Sequence, residues 1–138
     1  MPDLPPPTPI GLTPYLTIRG GRGQEAMAFY EKAFGGKAVF RNLADDGKRL
    51  LHARVEINGA IVMLSDDFPD MRGGNETPTP AACTLHLQVD DAEAWAERAA
   101  EAGAEVTMPV MEMFWGDRYG QLRDPFGHSW SIGSTKSA

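Results

Sequence analysis

The chain repeats itself, and that repeat limits the folds open to it. A short apolar strand, a helix, a glycine and a second strand run from Tyr15 to Phe40, ending in A-F-Y-E-K-A-F-G-G-K-A-V-F. The same order returns as L-H-L-Q-V at 85–89, W-A-E-R-A-A-E-A-G-A-E-V at 95–106, and two more strands. The second copy trails the first by roughly 65–70 residues, and self-similarity at that spacing describes a duplicated module. A sheet with one helix behind it covers only one apolar face. Two such modules therefore predict an α+β fold of paired βαβββ units, with two curved sheets forming an open, cup-like barrel.

In module one, residues 13–66, Tyr15 to Ile18 reads as a strand, broken by Gly20, Gly21 and Gly23. Gln24 to Phe34 reads as a helix. Met27, Tyr30 and Phe34 fall at helical spacing beside Ala26 and Ala33, and Gly35-Gly36 supplies a left-handed cap. Three strands follow at Lys37–Leu43, Leu51–Ile57 and Ala60–Leu64. Asn58-Gly59 between the last two is a strong hairpin signal. Residues 67–82 have loop chemistry throughout and read as a linker. Module two, residues 83–133, begins with a strand at Thr84–Val89. Asp90 or Asp91 is an N-cap, and Ala92, Trp95, Ala96, Ala99 and Ala102 form the apolar face of a helix closed by Gly103. Strands are expected at Glu105–Val110, Tyr119–Arg123 and His128–Ile132. Outside the modules lie a proline-rich arm at 1–12 and a tail at 134–138. Prolines this dense cannot donate to a ladder, so the arm reads as extended, either a loose tail or a strap on a partner subunit.

The net charge of −6 and pI near 5.0 argue against nucleic acid, which demands a basic surface. No stretch is long and apolar enough for a bilayer, and no signal-like leader opens the sequence. The expectation is a soluble cytoplasmic protein. Cys83 is the sole cysteine, which excludes an internal disulfide and any zinc site built on several thiolates.

Chemistry-bearing residues concentrate between Met111 and Ile132, where Asp124-Pro125-Phe126-Gly127 joins two strands by a tight turn. Within it, Trp115 and Tyr119 offer stacking surface, and Arg118 offers a planar donor for a carboxylate or phosphate. The same residues also fit a closed core with Asp117–Arg118 or Arg123–Asp124 ion pairs. His52 and Glu56 share one strand face, and His86 shares one with Thr84. These histidines read either as ligand contacts or as partly buried, hydrogen-bonded side chains. His128 reads as a turn or surface residue. No nucleophile triad, phosphate loop or dinucleotide fingerprint occurs.

The paired modules, together with A-x-x-F-Y-x-x-x-F-G, V-D-D before the second helix, and D-P-F-G-H-x-W near the end, resemble the vicinal oxygen chelate superfamily. That is the glyoxalase, bleomycin-resistance and extradiol dioxygenase group. P-Y-L-x-I, H-A-x-V-x-I-N-G-x-x-x-M-L-S-D and F-W-G-D-R-Y-G are similar to its PhnB-like branch, and the likeness spans roughly residues 13–133. It implies a two-fold homodimer and a ligand cup between modules. It also implies four metal-ligand positions, which fall at Thr13, Met63, Thr84 and Ser131. A thioether with three hydroxyls does not suit a divalent ion, so no cofactor is expected. The favoured reading is a protein binding a small organic ligand in the cup against His52, Met63, His86, Trp115, Arg118 and Tyr119. The alternative is a lyase, isomerase or dioxygenase with Zn, Fe, Mn or Ni relocated to His52, Glu56 and His86.

Overall fold

In the computed structural model, residues 4–135 are described; the first residues of the arm and the end of the tail lie outside them. The chain divides into two compact units. One runs through Pro78 without Lys32–Phe34; the other takes Lys32–Phe34 and the chain from Thr79 onward. Each unit carries one copy of the repeat, so the βαβββ expectation holds for both.

The first unit holds β1 (Tyr15–Ile18), all but the last turn of α1 (Gly23–Phe34), β2 (Lys37–Leu43), β3 (Leu50–Ile57) and β4 (Ala60–Asp66). Its sheet runs β1-β4-β3-β2, with β1 parallel to β4 and the other pairs antiparallel. Helix α1 ends where Gly35 adopts φ 64° and returns its N–H to the Tyr30 carbonyl, the left-handed termination its sequence announced. Asn58 (φ 50°) and Gly59 (φ 82°) both have positive φ, which makes the β3–β4 connection a type I′ turn matched to strand twist. Ile18, Met27, Tyr30, Val55 and Leu64 are fully buried and form the core of this unit.

Strand β4 extends two residues beyond its expected end because Asp66 has buried partners. Its carboxylate accepts the Gly23 N–H at 2.7 Å and the Leu50 N–H at 2.6 Å. It thereby ties the start of α1 to the start of β3. A Cβ on Gly23 would lie 2.3 Å from Asp66 Oδ2, so the glycine is required by space. The expected linker is ordered around Asp67, which is 4% exposed. Asp67 accepts the Thr77 N–H at 2.8 Å and pairs with Arg72, across a 3₁₀ turn at Pro69–Arg72.

The second unit repeats the order with β5 (Thr84–Gln88), α2 (Ala92–Ala102), β6 (Glu105–Glu112), β7 (Arg118–Arg123) and β8 (Ser129–Ser134). The sheet runs β5-β8-β7-β6, with β5 parallel to β8. Asp91 caps α2 by accepting the Ala94 N–H at 3.1 Å. The helix packs on β6, β7 and β8, above a buried face of Leu122, Trp130 and Ile132. Phe34 lies 4.8 Å from Trp130, centroid to centroid. Strand β6 passes through Pro109 to Glu112, two residues past expectation. Its register against β7 slips around Met108, and it is an edge strand, where a proline and a bulge are tolerated. Asp124 is 3% exposed. It accepts the N–H groups of Phe126 and His128 at 2.9 and 3.0 Å and the Trp130 indole N–H at 2.9 Å. The D-P-F-G turn is thus locked to the core tryptophan, and Asp124 is bonded there rather than to Arg123.

No helix among the described residues is long and apolar enough to cross a membrane.

Candidate functional site

Strand pairing in the first unit aligns Tyr15, Met63, Arg54 and Phe40 in one cross-strand row. Partners in register share a face, so these four side chains lie opposite the buried Ala53, Val55 and Ile57. His52 stands two residues along β3 on the same face. Its Nδ1 is 2.8 Å from Tyr15 Oη, and its Nε2 is 3.0 Å from Arg54 Nε. Arginine only donates, so Nε2 accepts and the proton of the neutral ring resides on Nδ1, directed at the tyrosine oxygen. Burial first, and then the Arg54 charge, hold His52 below the ordinary imidazole pKa. The Phe40 ring closes the other side, 5.8 Å from the imidazole centroid.

The second unit builds a counterpart around His86. Register places His86 beside Ser131 and Ser131 beside Gln121. His86 Nδ1 is 2.7 Å from Ser131 Oγ, and Nε2 is 2.8 Å from Gln88 Oε1. The Gln88 amide is oriented by its donation to Thr135 Oγ1 at 3.1 Å, so Oε1 accepts from Nε2–H. The two histidines therefore hold opposite tautomers when neutral. A Cβ on Gly133 would stand 3.0 Å from both His86 Cε1 and Gln88 Oε1; the missing side chain gives the imidazole its bed. Tyr119 stacks on His86 at 6.1 Å with 18° between planes, and Trp115 meets Tyr119 edge-on at 6.4 Å. Trp115 is 53% exposed and Phe114 97% exposed. A core role for Trp115 is thus excluded.

Arg118 sits elsewhere. Alternation along β7 turns it to the α2 side, and it forms an ion pair with Glu93 in the first turn of the helix. The structure thus gathers His86 with Tyr119 and Trp115, and His52 with Met63's row, and turns Arg118 to the face of its sheet opposite Tyr119. Sequence reasoning passed over Tyr15, Arg54, Gln88 and Gln121. Strand parity was the available signal for Arg54, which lies between His52 and Glu56, and for Gln88, two residues after His86.

The four positions at which the family resemblance puts metal ligands carry no suitable donor set. Ser131 Oγ is engaged by His86, Thr84 Oγ1 lies 3.2 Å from Ser129 Oγ, and Met63 offers only a thioether. These groups do not fit a divalent cation. Of the relocated set, His52 and Glu56 lie in the first unit and His86 in the second. Among the described residues no three His, Cys, Asp or Glu side chains group to hold a metal ion. Both nitrogens of each imidazole are already bonded, and the Arg54 cation stands between His52 and Glu56.

A separate cavity of about 480 Å³ in the first unit is lined by Arg49, Leu51, Phe68, Asp70 and Met71, among others, and by none of the expected site residues. Arg49 there lies 4.4 Å over the Phe68 ring and is tied to Asp46 and Asp70 at 2.7 and 2.6 Å.

These features are those of the Glyoxalase/Bleomycin resistance protein/Dioxygenase superfamily, whose family model matches residues 13–132; the chain belongs to that superfamily. An uncharacterised protein of Mycobacterium bovis is 45% identical over 126 residues, covering 88% of this chain and 81% of the relative. Protein YjdN of Escherichia coli is 26% identical, covering 91% and 95%. A crystal structure from Pseudomonas aeruginosa superposes with TM-score 0.72 at 28% identity, over 94% of this chain and all of that one. The PhnB protein from Bacillus cereus has the same fold, with TM-score 0.68 at 24% identity over 90% and 98%.

Proposed function

We propose that this chain binds a small organic molecule on the polar, aromatic faces of its sheets and uses none of the superfamily's usual metal chemistry. The observation that carries the reading is the exposed Trp115–Tyr119–His86 series beside Ser131 and Gln88. Large aromatic rings left in water represent unspent stacking surface. Here they border hydrogen-bonding groups whose directions are fixed, the combination typical of small-molecule sites. His52, Met63 and Tyr15 supply a similar surface in the first unit. In this reading His86 and His52 are oriented polar contacts, and the serine and methionine at metal-ligand positions are part of the binding surface. Arg118 contributes only if it leaves Glu93. The working form is a cytoplasmic two-fold homodimer, which sedimentation equilibrium tests separately.

The direct test is a thermal-shift and tryptophan-fluorescence screen of small organic acids, phenols and amides. A binder should raise the melting temperature and alter emission, and Trp115→Ala and Tyr119→Ala should each weaken it about tenfold, the worth of one good stacking contact. A flat screen, or hits insensitive to both substitutions, refutes the proposal.

A further inference from the structure

Arg54 is a buried cation whose hydrogen-bond partners are all neutral. It is 5% exposed. Its Nε donates to His52 Nε2 at 3.0 Å, Nη1 to the Pro6 carbonyl at 2.5 Å and Nη2 to Thr8 Oγ1 at 2.9 Å. No carboxylate among the described residues pairs with it; Glu56, two residues along the same face, is exposed and forms no ion pair. A guanidinium withdrawn from water without a counter-charge retains a large unmet demand for an anion. The two outer nitrogens, each held by a neutral oxygen, form the fork that a carboxylate or phosphate satisfies in bidentate fashion.

The occupant of that fork is held lightly. Pro6 and Thr8 belong to the proline-rich arm, where Leu4, Ile10 and Leu12 are 84%, 107% and 101% exposed. The arm therefore buries little apolar surface, and its attachment rests on the bonds to Arg54. It lies on its own unit, where Pro6 and Thr8 meet Arg54. Around the fork stand Tyr15, Phe40 and Met63, an apolar and aromatic wall in register with Arg54.

We propose that Arg54 is the oxyanion subsite of the ligand-binding face of the first unit, and that residues 4–12 form a displaceable strap whose Pro6 carbonyl and Thr8 hydroxyl fill the fork until an anion replaces them. This rests on the ligand-binding reading above and narrows it to organic molecules with an apolar body and one carboxylate or phosphate. The strap lowers the fraction of binding-competent molecules, and apparent affinity falls by that fraction.

The test compares phenylacetate, phenyl phosphate and neutral phenylacetamide by calorimetric titration, with the Arg54 Nε–H resonance followed by NMR. The proteins are the full chain, Thr8→Val, Arg54→Gln and a chain lacking residues 1–10. One or both anions should bind the full chain about tenfold more tightly than the amide, as a charge-assisted pair does over a neutral one. Whichever anion is tighter identifies the group. Thr8→Val should tighten anion binding about threefold and arm deletion about tenfold, with amide binding unchanged. Arg54→Gln should erase the preference for anions. Equal binding of amide and anions, or anion affinity indifferent to both arm changes, overturns the subsite while leaving the ligand-binding reading standing. Absence of binding by all three compounds also overturns the subsite, and the wider screen then judges the ligand reading alone.

Discussion

The bond between Asp66 and Gly23 makes a quantitative prediction. Asp66 is 2% exposed, and its carboxylate satisfies two buried backbone donors, Gly23 N–H and Leu50 N–H, at 2.7 and 2.6 Å. Asp66→Ala orphans both. At about 1–3 kcal/mol for each unsatisfied buried donor, the substitution should cost about 4 kcal/mol. Gly23→Ala acts on the same contact from the other side. Its new Cβ would stand 2.3 Å from Oδ2 and 2.7 Å from Cγ, and the carboxylate cannot retreat without surrendering those bonds. That change should cost about 3 kcal/mol by the same reckoning. In the double variant the clash is gone and the methyl occupies vacated space. The two costs should then fall short of additivity by about 2 kcal/mol. Equilibrium unfolding in urea measures all three, with the slope m constant to show that the unfolded state is unchanged. Additivity within about 0.5 kcal/mol, or an Asp66→Ala cost under about 1 kcal/mol, would refute the reasoning.

Other consequences are equally concrete. His52 should titrate below the ordinary imidazole value of about 6.5, by NMR. Its folded pKa is depressed, so its contribution to stability is complete above the unfolded value and is lost as pH falls toward the folded one. His52→Gln should therefore flatten the stability slope below about pH 6.5. Arg54→Gln should raise the His52 pKa only partway, since burial is the larger cause. Asp46 should titrate near the value of about 2 that its bonds from the Arg49 side chain and the Arg49 and Lys48 N–H groups produce. Arg49→Gln should move it toward the usual carboxylate range in a carbon-detected titration. Asp124→Ala strips acceptors from two N–H groups and the Trp130 indole. It should cost about 5 kcal/mol and change the near-ultraviolet circular dichroism of the buried tryptophan.

The modular plan was legible because its determinants are local. Met27, Tyr30 and Phe34 at helical spacing, Asn58-Gly59 in the hairpin and Asp91 at the start of α2 each act within a few residues. Element ends were misjudged where distant partners decide them. Ser65-Asp66 has polar loop chemistry, yet β4 continues because Gly23 and Leu50 supply donors from far along the chain. Pro109 argues for ending β6, yet the strand bulges and resumes against Tyr119 and Arg118. The candidate site was legible by residue type and less so by direction. His86 and Tyr119 stand out by residue type and share a face, but Arg118 needed Glu93 on α2 to show which side it serves. The fork of Arg54 needed the arm, whose contacts span 46 and 48 residues and leave no periodic trace.

The central claim is that these sheet faces hold an organic molecule and not a divalent ion. Side-chain NMR of histidine-labelled protein, titrated first with Zn²⁺ and then with the organic panel, tests it most directly. The account predicts that one equivalent of Zn²⁺ leaves the His52 and His86 resonances in place, and that an organic compound shifts them saturably. Saturable, stoichiometric shifts of both histidines with Zn²⁺, and none with any organic compound, would contradict it.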